Sequence, residues 1–339
     1  MDSAIVFPGM GPCDFATVAR FMLVNPVARR LVAVAGDVLG YDLFERYRET
    51  SGDYSEYAQV AFFVNCVALA TWAREEFGVE PGLCAGASFG GKAAAVHSGA
   101  LGFADGVRLT AELVRYETEY FAAEHPDVVT QSFVRVPGER LAELLAEMDE
   151  RGEWYEISCH VDDDFHMLSV HRDVLDGLRS RLRAHGGLPL YVMDPPLHCR
   201  AFGGLRDRVE AELFPTLTFT DPAIPVVADQ DGSPRDTAAG VRDILLDGIV
   251  RPVRWPAVVG TLRERGVRKL YVSGPDQLWG RVGVTTRNFE VVALDPRWAT
   301  RPRRRDRAAQ EHRTAQLHRA AQERGAAQEN LARAGASLS

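Results

Sequence analysis

The apolar run Ala4-Ile5-Val6-Phe7 has no polar interruption and ends at Pro8-Gly9, which predicts a strand buried on both faces and closed by a loop. Asn25-Pro26 offers a cap and a proline at the first helical position, so a helix is expected over 27–39. Residues 57–76 form a long, largely apolar helical stretch, 81–85 a second buried strand, 90–97 a short helix and 103–123 another helix. The rhythm then changes. Strands at 132–136, 154–159, 167–170 and 189–193 enclose helices at 138–149 and 172–185, in the order β-α-β-β-α-β of a ferredoxin-like unit. Beyond it come helices at 200–213, 238–246 and 255–265 and strands at 225–227, 269–272 and 289–293. Strands alternating with helices on both sides of the insertion imply an α/β unit with a mainly parallel, helix-covered sheet. Residues 1–127 and 195–300 would form this large unit, 128–194 the inserted small one, and 301–339 an appended tail.

Composition changes this picture little. The chain of 339 residues is 46% apolar and 25% charged, as globular proteins are. Its net charge of −8 gives no support to nucleic-acid binding. The tail holds nine Arg against four carboxylates, a net of +5, which leaves −13 for residues 1–300. Five scattered cysteines without a C-x-x-C pair speak against a disulfide framework and against a metal site, and fit a reducing cytoplasm. No signal peptide or membrane-spanning stretch is recognisable, so a cytoplasmic protein without membrane association is expected.

The chemistry concentrates in Gly86-Ala87-Ser88-Phe89-Gly90. A serine hydroxyl needs a base to take its proton and donors to hold the resulting oxyanion. In a G-x-S-x-G turn the small residues let a strand bend sharply into a helix, so the serine projects from the tip and helix-start N–H groups face the developing charge. The bare pattern is weak, but here it follows the apolar Leu83-Cys84-Ala85 and precedes the helix-forming Lys92-Ala93-Ala94-Ala95-Val96. Of nine histidines, His198 stands out because Pro195-Pro196 fixes the backbone before it. The residues alone leave it balanced between a base and a structural histidine.

Several ordered segments resemble the malonyl-CoA:acyl-carrier-protein transacylases and the acyltransferase domains of polyketide synthases. They are Phe7-Pro8-Gly9-Met10-Gly11, the Ser88 turn, Ser98 to Asp105, Pro196-Leu197-His198-Cys199, Arg251-Pro252-Val253-Arg254-Trp255 and Gly274-Pro275. The resemblance spans about residues 4–295 and implies an α/β-hydrolase-like large subdomain with an inserted ferredoxin-like small one. It further implies a ping-pong acyltransferase in which Ser88 is acylated and His198 is its general base. His198 would be oriented by the Arg251 carbonyl, and the backbone N–H groups of Met10 and Phe89 would form the oxyanion hole. Gln59, Ala87 and Leu113 would line the acyl pocket. The substrate carrier would be the phosphopantetheine arm of an acyl carrier protein, with no bound cofactor and a monomeric enzyme. An acidic carrier protein needs a locally basic dock, for which Arg200, Arg206, Arg208, Arg254 and Arg297 are candidates.

The departures from that family point to the substrate. Leu113 falls where malonyl-specific members place a carboxylate-binding Arg, and Arg115, two residues on, is turned by about 200°. A neutral acyl group larger than malonyl is therefore expected. Met10 and the Ala-Ser-Phe-Gly-Gly elbow look more like discrete acyltransferases of macrolactam antibiotic pathways, which move aminoacyl or dipeptidyl groups between carrier proteins. Malonyl transfer, hydrolysis of acyl carrier proteins and a non-catalytic adaptor are the alternatives.

Overall fold

The computed structural model describes residues 2–300 apart from Pro12, Ser51 and Asp53, so the expected tail at 301–339 lies outside the described residues. The large sheet contains β1 (Ser3–Phe7), β2 (Leu83–Gly86), β7 (Val226–Val227), β8 (Pro234–Arg235), β10 (Lys269–Ser273) and β11 (Glu290–Leu294), in the order β11-β10-β1-β2-β7-β8. All its pairings are parallel except β7 with β8, so the parallel sheet of the sequence reading gains one antiparallel edge. Alternation along β1 explains its unbroken apolar run. Ile5 and Phe7 enter the core on one face, while Ala4 and Val6 enter the core on the other.

The second sheet contains β3 (Val128–Val134), β4 (Tyr155–Asp162), β5 (Phe165–His171) and β6 (Leu188–Met193), ordered β6-β3-β5-β4, with β9 (Val253–Arg254) added in parallel beside β4. The four antiparallel strands and the helices Gly138–Glu150 and Leu175–Ala184 give the ferredoxin-like arrangement. Phe133, Leu144, Leu168 and Leu182 belong to a core of its own.

The expected helix at 57–76 forms as Glu56–Phe77 and the one at 103–123 as Phe103–Glu124. Four α-helices were not anticipated: Phe15–Val24, Leu43–Glu49 with Asp42 as its cap, and the short Gly283–Thr286 and Pro296–Ala299. Among the described residues no helix is long and apolar enough to cross a membrane.

Candidate active site

Ser88 sits where β2 turns into the helix Gly90–His97, with φ at +52°, a conformation that costs a non-glycine residue energy and recurs at functional turns. The flanking glycines are required by space. A Cβ on Gly86 would lie 2.2 Å from the Gly90 carbonyl carbon, and one on Gly90 would lie 2.1 Å from the Phe7 oxygen.

The hydroxyl of Ser88 is 2.7 Å from Nε2 of His198. His198 also holds positive φ, +67°, and is 5% exposed. Its Nδ1–H donates to the Gly248 carbonyl at 2.5 Å. A carbonyl can only accept, so Nδ1 carries the proton and Nε2 is free to take one from Ser88. Burial pushes this imidazole down to about 4, only partly opposed by the Gly248 bond.

The orienting carbonyl is therefore that of Gly248, not Arg251, and the reason is where the helix ends. The sequence reading stopped this helix at 246, whereas it runs Ala238–Val250. The last carbonyls of a helix lack intrahelical partners. His198 takes up two of them, with Nδ1–H on Gly248 and its own backbone N–H on Ile249 at 3.0 Å. The negative helix end also favours the imidazolium that forms during proton transfer. Arg251 lies one residue past the helix, its guanidinium bound to Asp247 and Asp231.

A carboxylate not foreseen in the sequence completes the turn. Asp229, 3% exposed, accepts the Ser88 backbone N–H at 2.6 Å. Burial raises its carboxyl to about 7 despite that bond. The backbone N–H groups of Met10 and Phe89 are committed to no acceptor among the described residues. Both residues border hollows that reach Ser88, Met10 the groove and Phe89 the cavity.

Two hollows meet at Ser88. A groove with about 1000 Å³ of empty space, mouth included, runs between the sheets past Met10, Met167, Tyr191, Val253 and Trp279. A narrower cavity with about 650 Å³ of empty space, its opening included, lies on the other side, walled by Leu109, Leu113, Val209, Phe214, Ile244 and Leu245. Leu113 lines it as expected. Arg115 points elsewhere, pairing with Glu56 and Glu112 at the surface.

Gln59 and Ala87 border neither hollow, which corrects their assignment to the acyl pocket. The Gln59 amide donates to the Tyr54 carbonyl at 3.1 Å and ties down the start of its own helix, while Ala87 packs into the core behind β2. In their place the cavity wall carries Gln230, Gly248, Lys92 and Glu117. Helical spacing could have revealed one of the two charged residues. Glu117 follows Leu113 by four on one helix and shares its face, whereas Ser88 precedes the helix that carries Lys92, so spacing does not link those two.

Of the five candidate docking arginines, Arg206 pairs with Glu210 at 2.8 Å, and Arg208 pairs with Glu119 at 3.0 Å and lies over Tyr116. Arg200, Arg254 and Arg297 are exposed. Arg200 lies two residues from His198 and Arg254 next to the groove residue Val253, whereas Arg297 borders a different depression with Arg281. Among the described residues no His, Cys, Asp and Glu cluster is arranged to hold a metal.

A serine on a strained strand-to-helix turn, its imidazole held by a helix end, and a ferredoxin-like unit beside the parallel sheet define a serine-dependent acyltransferase architecture. Comparison with known proteins gives the same class. A family described as the VinK acyltransferase small domain matches residues 132–193. The chain is 28% identical over 281 residues to the malonyl CoA-acyl carrier protein transacylase of Salmonella typhimurium, covering 81% of this chain and 89% of that protein. It is 29% identical over 278 residues to the polyketide biosynthesis protein ThaF of Burkholderia thailandensis, covering 78% of this chain and 22% of that protein. The fold is shared with a malonyl-transacylase solved in complex with its type II polyketide synthase acyl-carrier protein, at a TM-score of 0.78 and 24% identity over 87% of this chain and 96% of that one. FabD from Acinetobacter baumannii gives the same TM-score at 20% identity, over 88% and 95%. The chain is thus an acyltransferase homologous to the malonyl-CoA:acyl-carrier-protein transacylases.

Proposed function

We propose that this enzyme moves a non-malonyl acyl group, aminoacyl or dipeptidyl in character, from one acyl carrier protein to another through an ester on Ser88. The Ser88 oxygen attacks the thioester carbonyl of the phosphopantetheine arm as Nε2 of His198 takes its proton. The tetrahedral oxyanion is held by the Met10 and Phe89 N–H groups, and its collapse expels the thiolate, which recovers the proton from His198. A second carrier thiol reverses these steps and leaves with the acyl group. The groove between the sheets suits the incoming arm, and Arg200 and Arg254 beside it suit an acidic carrier protein.

One observation carries the choice of acyl group: Leu113 lies on the wall of a cavity that opens at Ser88 and has no arginine among its described lining residues. A malonyl carboxylate buried there would compete for the single ammonium of Lys92 with Glu117, whose charge already acts on it. An unmatched buried charge costs several kcal/mol. The names of the relatives favour malonyl transfer as the second reading.

Intact-mass measurement of the acyl-enzyme formed from a panel of acylated carrier proteins separates the readings, with Ser88→Ala as control. A neutral or amine-bearing adduct that is absent in the variant and passes to a second carrier protein is the expected result. Faster labelling by malonyl would overturn the choice of acyl group. Free acid released at the same rate with and without an acceptor would make the enzyme a hydrolase.

A further inference from the structure

Ser88 and His198 are held in different ways. Ser88 stays within the large unit, its backbone N–H on Asp229 at 2.6 Å. The turn that carries His198 is gripped from both units. From the large one, the helix Ala238–Val250 offers the Gly248 carbonyl to Nδ1 and the Ile249 carbonyl to the backbone N–H. From the small one comes a carboxylate on β4. Tyr155 and Ile157 pack against the small core, so alternation turns Glu156 to the opposite face, towards the large unit. Its Oε2 accepts the Arg200 N–H at 2.7 Å and its Oε1 accepts the Ala201 N–H at 3.1 Å.

Those two N–H groups begin the turn Arg200–Phe202, which runs into the helix Gly203–Glu212, and have no acceptor within it. A carboxylate is favoured at the positive start of a helix, and its hydrogen bonds are roughly twice as strong as those of a neutral acceptor. The consequence lies two residues upstream. His198 has φ at +67°, and a bulky side chain keeps that conformation only where its surroundings impose it. The helix end fixes the chain at His198, Glu156 fixes it from Arg200 onward, and only Cys199 lies between. Released on the Glu156 side, the turn can relax to negative φ and carry Nε2 away from Ser88.

We propose that Glu156 is a positioning residue for the base, its carboxylate holding the strained His198 turn closed on Ser88. The small unit thereby governs the base without touching the acyl group. This rests on His198 acting as the base of Ser88, as in the reading above.

The test follows the reaction of the full-length enzyme with an alkyl fluorophosphonate by intact mass from pH 4 to pH 9. The Ser88 oxygen bonds to phosphorus, fluoride leaves and His198 takes the hydroxyl proton, so the probe needs the base but no particular acyl group. Glu156→Gln keeps the shape and presents an NH2 to one of the two N–H donors, which leaves that donor unpaired. It should slow labelling by about 10- to 100-fold, the usual worth of a hydrogen bond to a charged group. The acid limb should rise at the same time towards 6.5, because an imidazole that swings out of its site loses the burial that holds it near 4. Loss of a negative charge would by itself push the imidazole down, so a rise reports movement of the base. An unchanged rate, a slower rate with an unmoved limb, or a limb that falls would each overturn the assignment. Hydrogen exchange on the wild-type enzyme needs no variant to fold: the Arg200 and Ala201 amides should be protected, and exchange as fast as in an exposed turn would also overturn it. His198→Ala labelling at the wild-type rate would instead overturn the underlying reading, so the two failures are distinguishable.

Discussion

Asp229→Asn should make the protein more stable at neutral pH, and the gain should shrink as pH falls. The carboxyl is 3% exposed and raised by burial from 3.8 to about 7. Between those values the folded chain binds more protons than the unfolded one, so this group's contribution to stability declines as pH rises through that window. At about 1.4 kcal/mol per pKa unit, a shift of roughly three units costs about 4 kcal/mol at pH 7 and about 2 kcal/mol at pH 5. Asparagine does not ionise and keeps an oxygen for the Ser88 N–H, although exchanging a charged acceptor for a neutral one gives back about 1 kcal/mol. The expected gain is therefore about 3 kcal/mol at pH 7 and about 1 kcal/mol at pH 5. Urea unfolding of both proteins at the two pH values, in one salt concentration, measures it, since other titrating groups largely cancel in the difference. A variant less stable than wild type at pH 7, or a difference independent of pH, would refute the reasoning. Asp229→Ala is the contrasting case. It removes the acceptor that holds Ser88 in its strained conformation, and acylation should slow even where the variant folds.

Two more outcomes follow from the geometry. Because burial pushes His198 down to about 4, the base stays unprotonated well below the ordinary histidine value of 6.5. The acid limb of Ser88 acylation should lie near pH 4–5, and a limb centred at 6.5 would contradict the burial. The same depression means that the contribution of His198 to stability is complete above pH 6.5 and is lost as pH falls towards 4. At Gly248 a Cβ would have Gln230 Nε2 as its nearest neighbour, at 3.6 Å, so alanine fits. Leucine there would extend into the cavity, and competition between short and long acyl donors should shift towards the short, with the Nδ1 bond to the backbone carbonyl intact.

The parts legible in the sequence are those set by local pattern. The unbroken apolar run of β1 requires burial on both faces, and the six-element rhythm of 128–193 allows little besides a ferredoxin-like unit. Ser88 was legible because its glycines are demanded by contacts shorter than any Cβ tolerates, so spacing carries the geometry. Gly248 was not legible. Its function is a backbone oxygen at a helix end, which no side chain marks, and the resemblance carried the role to Arg251 just past that end. Asp229 was hidden for a related reason: it meets Ser88 across the β2–β7 pairing, 141 positions away, and no periodicity links the two.

The cavity wall shows a third kind of limit. Leu113, an apolar residue at the expected clamp position, is legible from its spacing to Ser88 alone. One turn beyond Leu113 on the same helix lies Glu117, whereas the helix that carries Lys92 begins only after Ser88, whose φ of +52° breaks helical spacing. An apolar wall limits how large the acyl group can be, and the buried Glu117 and Lys92 place charge on that wall.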